Sequence, residues 1–251
     1  MPQSPNNIDD VLRELDRIVD QTIADNDYLG VFAYVYRRTT AQIKYGIEQG
    51  RFEDGRRMEQ MDVVFARRYI DAYWAYRNGQ PVSRAWQAAF NARRQPITLL
   101  QHLLLGMNAH INLDLGVAAA ETAPGQAIQQ LEKDFMTVND ILAEIGDEMQ
   151  ERLSRASRLL FLLDWVGGRK DEQIVNFSIN KARSFAWQVA VSLARLKGAG
   201  REDTISGVDE TTYQIGKVVA WPPGRLLPWV VRLIHRWEEK DVGRVVALLK
   251  E

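Results

Sequence analysis

One uninterrupted apolar stretch, Leu99–Ala120, reading LLQHLLLGMNAHINLDLGVAAA, constrains this chain more than any other feature. It contains no proline, and apart from Gly106 and Gly116 its residues favour a helix. A helix this apolar must be surrounded, by other helices or by lipid. Lipid is the poorer host, because His102, Asn108, His110, Asn112 and Asp114 would all lie at membrane depth. No transmembrane segment is therefore expected. The stretch predicts a buried central helix over about 97–120, with a bundle of helices packed around it.

The polar residues inside this run are the candidate site. His102, Gly106, His110 and Asp114 are each four apart, so on a regular helix they form a slanting stripe. Gly106 removes a side chain between the two histidines, leaving room for a ligand, a water or another backbone. Asn108 and Asn112 share a second face. Buried imidazoles, amides and carboxylates need partners. Two readings stay open. In one, these groups serve a small, largely apolar ligand in a pocket beside the helix. His110 is then the acid/base, with Asp114 or Asp62 setting its tautomer and pKa. In a variant, His102 and His110 with Asp114 or Asp134 hold one divalent metal. In the other reading the polar groups only tie the central helix to its neighbours in a non-catalytic binding or scaffold protein.

The flanking sequence reads as helices. Asn7–Ala24, Leu29–Gly50 and Arg56–Asn78 carry apolar residues at helical spacing. Asp62 falls in the apolar stripe of the third, with Arg67 or Arg68 as the expected partner. Tyr69, Tyr73 and Trp86 offer an aromatic wall, and Tyr69 is a substrate-binding candidate beside Asn108 and Asn112. Ser83 should cap a short helix carrying Trp86 and Phe90. Gln126–Ser154 forms a long helix with Asp134 inside its apolar face. Leu159–Trp165 is a short apolar segment stopped by Gly167-Gly168. Asp171–Leu196 reads as another helix, with Phe177, Ala186 and Val189 among its apolar residues. Its Arg183 and Trp187, four apart, can stack or touch an anionic ligand. Glu202–Val219 and a basic, tryptophan-bearing tail helix, Leu226–Leu249, complete the chain. Convincing strand patterns are absent. The expectation is one all-α domain over 1–251.

Composition narrows the function. With 46% hydrophobic and 26% charged residues and a net charge of -1, the chain has no basic surplus for nucleic acid. The absence of cysteine excludes thiolate metal sites and disulfides. The opening MPQSPNNIDD lacks the apolar core of a signal peptide, so a cytoplasmic location is expected. No nucleophile motif, P-loop or dinucleotide fingerprint is present. Asp16 and Asp20, with Asn139-Asp140 and Asp147, loosely match the carboxylate pairs of isoprenoid-diphosphate enzymes. That chemistry ranks third, because the motifs are degenerate.

The segments FARRYIDAYWAYRNGQPVSRAWQAAF and LQHLLLGMNAHINLDLGVAAA together resemble the family catalogued as domain of unknown function 5995. The run Gly106–Leu115 is the most specific part. The likeness extends through Asp134-Phe135 and Ala182-Arg183…Trp187. It implies an all-helical protein and supplies no activity. The zinc-dependent phospholipase C group shares only the all-α character, and its three-metal centre needs more than the three histidines present here.

Overall fold

Several helix starts fall where the sequence supplies a capping side chain. In the computed structural model, which describes residues 4–160, 162, 179–224 and 226–250, Asn7 accepts from the Asp10 N–H and opens α1, Ile8–Ala24. α2 spans Leu29–Glu48. Asp54 caps α3, Gly55–Arg77, and Ser83 caps α4, Arg84–Asn91. The long α7 covers Ile128–Ala156. α8 is Ile179–Arg195 and α9 is Ala199–Ala220. The described residues are 82% helical and contain no strand. The segment expected at 163–165, its Gly167-Gly168 stop, the start of the helix expected from Asp171 and the side chain of Asp147 lie outside the described residues.

The tail differs from the expected single helix. It forms α10, Leu226–Trp237, and α11, Val242–Lys250. Glu238 causes the break by turning inward. Its carboxylate, only 6% exposed, accepts from the Leu99 N–H at 3.1 Å and from the Ser157 hydroxyl at 2.6 Å. Asp241 then accepts from the Arg244 N–H in the first turn of α11.

The central helix runs without a break from Leu99 to Thr122. By length and composition alone it could cross a membrane, but 89% of its most apolar window is buried inside the protein. It is ringed by α2, α3, α4, α7, α8 and α9. Thr98 and Gln101 form a capping box at its start. Its three parts are α5, Leu99–Met107, a π-helical segment, Asn108–Leu115, and α6, Gly116–Thr122. π turns bond i→i+5, are rare in this length and cluster at functional sites.

Two glycines set the packing distance. A Cβ at Gly116 would sit 2.7 Å from the Ala186 carbonyl oxygen, so α6 and α8 approach backbone to backbone. A Cβ at Gly216 would stand 3.3 Å from the Asn108 amide nitrogen. That space lets Asn108 donate to the Thr212 carbonyl at 2.8 Å, while Asn112 donates to Asn108 Oδ1 at 2.9 Å. Gln101 likewise donates to the Val219 carbonyl at 2.7 Å. These amides pin α9 to the central helix.

Candidate functional site

An apolar cavity of about 450 Å³ lies between the central helix, α2, α3, α7 and α8. Its volume falls in the range of small-molecule sites. Phe32 and Tyr36 come from α2, Phe65 from α3, Met107 from α5, and Leu142 and Met149 from α7. Few polar groups face it. Among them are His110, from the π segment, and Arg183, from α8.

His110 is held tightly. Its ring stacks on Phe65 with centroids 3.6 Å apart and planes 6° from parallel, and Tyr36 meets it edge-on at 4.4 Å. Nδ1 lies 3.3 Å from Asp114 Oδ2, one turn along the same helix. Asp114 is itself fixed: Oδ2 accepts from Trp86 Nε1 at 2.8 Å and Oδ1 from Arg68 Nε at 3.1 Å. A carboxylate only accepts, so the shared proton belongs on His110 Nδ1. Nε2 then carries a lone pair, is buried and has no hydrogen-bond partner. Burial lowers the His110 pKa below its ordinary value, against the raising effect of Asp114. At neutral pH the ring is an uncharged base in the wall of an apolar chamber.

His102 does not join it. Across the eight residues from His102 to His110 even a regular helix rotates on by about 80°. The His102 ring stacks on Tyr28 at 4.9 Å, outside the cavity. Burial pushes it down to about 3, and neither ring nitrogen has a partner. The gap expected at Gly106 is also filled: a Cβ there would overlap the Phe32 ring. Asp114, one turn on from His110, does not line the cavity; it faces Arg68 and Trp86 in a separate groove.

The expected metal set is therefore not assembled. Asp134 is fully buried near the start of α7, where it accepts from the backbone N–H groups of Glu53 and Asp54 at 2.6 and 3.2 Å and from Arg57 at 2.7 Å. No group of three or more His, Asp or Glu side chains among the described residues is placed to hold a metal ion.

Other candidates separate in the same way. Asn108 donates to the Thr212 carbonyl of α9 and accepts from Asn112, so these amides are engaged with each other and with α9, and neither lines the cavity. Tyr69 is buried against Phe32, Trp86 and His110 behind the cavity wall, with its hydroxyl unpartnered. Asp62 is 2% exposed and neither oxygen has a hydrogen bond. Its expected partners are engaged elsewhere, Arg67 with the Pro5 carbonyl and Arg68 with Asp114. Burial, with help from Glu59, raises Asp62 to about 7. Its charge also raises Tyr36, although burial is the larger cause there. Asp16 is exposed and paired with Arg37 at 2.7 Å, which leaves it on a solvated face.

Arg183 and Trp187 do not stack on each other as expected. The Arg183 guanidinium lies over Phe135 at 4.4 Å, and Trp187 packs against that same ring at 4.9 Å. The aromatic clamp of Phe32, Tyr36 and Phe65 was not singled out from the sequence. Its available signal was the four-residue spacing of Phe32 and Tyr36, which puts both rings on one face of α2.

No curated protein and no solved structure matches the chain. Residues 8–222, which include the whole central helix and Arg183, match the family described as "Family of unknown function (DUF5995)", and the chain belongs to that family.

Proposed function

We propose that this protein takes a small, largely apolar molecule into the cavity beside the central helix and that His110 acts on it as a base. The observation that carries this reading is the imidazole itself. It is uncharged, oriented through Nδ1 by Asp114 and left with a buried, unpartnered Nε2, and the residue lines an apolar chamber. Such an arrangement is suited to removing a proton from a ligand held in water-poor surroundings. Asp114 is a positioning residue: it sets the tautomer and stabilises the imidazolium that proton uptake creates. Arg68 and Trp86 hold Asp114 in turn.

The test compares the wild-type protein with Leu142→Trp, which fills the cavity, and His110→Gln. Organic extracts of natively purified protein are analysed by mass spectrometry. A small apolar molecule recovered from the wild type and absent from Leu142→Trp supports the cavity as a ligand site. Identical extracts from the two would overturn it. Deuterium uptake by the recovered molecule in heavy water, catalysed by the wild type and not by His110→Gln, supports the base. Equal uptake with both proteins removes His110 from the chemistry.

A further inference from the structure

Among the described residues, Arg183 is the one charged side chain in the cavity wall, and its charge is unanswered there. It is only 5% exposed. Its Nε–H donates to the Asn139 side-chain oxygen and one Nη2–H to the Phe135 carbonyl. Both acceptors are neutral. They aim the guanidinium without balancing it, and no described carboxylate forms an ion pair with it. A buried unpaired cation is costly, and proteins rarely keep one without a use. A guanidinium has five N–H donors in a planar fork, so donors remain for a further acceptor. That fork matches a carboxylate.

We propose that the cavity holds an amphipathic monoanion of the fatty-acid class, with its carboxylate on Arg183 and its hydrocarbon along the apolar wall. This inference rests on the reading of the cavity as a ligand site. The cavity wall includes Ile111, Leu115, Val138, Leu142 and Ile179, side chains that suit methylene groups and offer no hydrogen bond. An uncharged apolar ligand would leave the guanidinium as costly as it is now. Two charges would overcompensate it, because no other described cationic side chain lines the cavity and burial lowers the His110 pKa. Burial pushes Arg183 down to about 9, which still leaves it protonated at neutral pH. Within the same chamber, His110 is one of the polar groups that could meet the ligand at a second point, with Tyr36, Thr39, Gln150 and Ser154 also in the lining.

Isothermal titration calorimetry with dodecanoate and, separately, dodecanol tests the inference on the intact protein. Dodecanoate is expected to bind the wild type roughly ten-fold or more tightly than dodecanol, as a charge-assisted hydrogen bond implies. Arg183→Met should abolish that preference while dodecanol still binds. Equal affinity of the wild type for the two probes would overturn the carboxylate–Arg183 pairing and leave the cavity reading standing. A preference that survives in Arg183→Met would overturn it as well. If neither probe binds the wild type, the cavity reading falls together with the inference. The wild-type comparison decides even where Arg183→Met fails to fold. Leu142→Trp, which should lose both probes, confirms that binding occurs in this chamber; undiminished binding by that variant counts against it.

Discussion

His102 and Asp62 are both buried without hydrogen-bond partners, and they act on stability with opposite pH dependence. The folded protein holds His102 at about 3, below the ordinary 6.5 of the unfolded chain. Between those values the unfolded state binds more protons, so the stability present above pH 6.5 is lost as pH falls. His102→Phe keeps the stack on Tyr28 and removes this loss. Denaturant melts at stepped pH below 6.5 should show a slope shallower by about 1.4 kcal/mol per pH unit than the wild type's. Asp62 runs the other way. Its folded pKa, about 7, lies above the unfolded 3.8, so stability is lost as pH rises through 7. Asp62→Asn should therefore raise the melting temperature at pH values above 7 and leave it nearly unchanged near pH 4. A variant less stable than the wild type at the higher pH would show that the charged form has a partner. The His110–Asp114 contact was legible because residues four apart on a helix are neighbours. The missing partner of Asp62 was not, because the choice between Arg67 and Arg68 depends on what else those arginines can reach.

Helices were legible wherever a cap and an apolar stripe coincide, as at Asn7, Ser83 and the central run. The π segment was not, because the same residues are compatible with an α turn and only packing against α8 and α9 selects the wider one. The break in the tail was equally hidden: Glu238 reads as an ordinary helix residue until Leu99 is brought next to it. Glycines within helices divide on the same ground. Gly106 is closed off by the Phe32 ring, whereas a Cβ at Gly207 in α9 would meet nothing within 4 Å. Gly106→Ala should destabilise by about 1–3 kcal/mol through overpacking. Gly207→Ala should be neutral or stabilise by up to about 1 kcal/mol through helix propensity. Urea unfolding of both variants checks the contrast, and equal effects would refute the packing assigned to Gly106.

Across the whole molecule, the all-α architecture followed from hydrophobic periodicity, but the cavity did not. A chamber is defined by where five helices fail to meet, and no single helix encodes that. A ligand that fits it should stabilise the fold by mass action, by about 2.7 kcal/mol at a hundred-fold excess over its Kd. Thermal melts with dodecanoate should show that rise in the wild type and not in Leu142→Trp; a rise of the same size in both would mean that the ligand binds elsewhere. The inward turn of Glu238 bears on synthesis. The first N–H of the most apolar helix is satisfied by a carboxylate 139 residues further along the chain. At 5–20 residues per second, a ribosome needs roughly 7–28 s to make that distance. Throughout that interval the helix has emerged, or is emerging, without its distant partner. Nascent chains arrested short of Glu238 should be held by chaperones or should aggregate, and release of full-length protein should mark the moment the helix becomes sheltered.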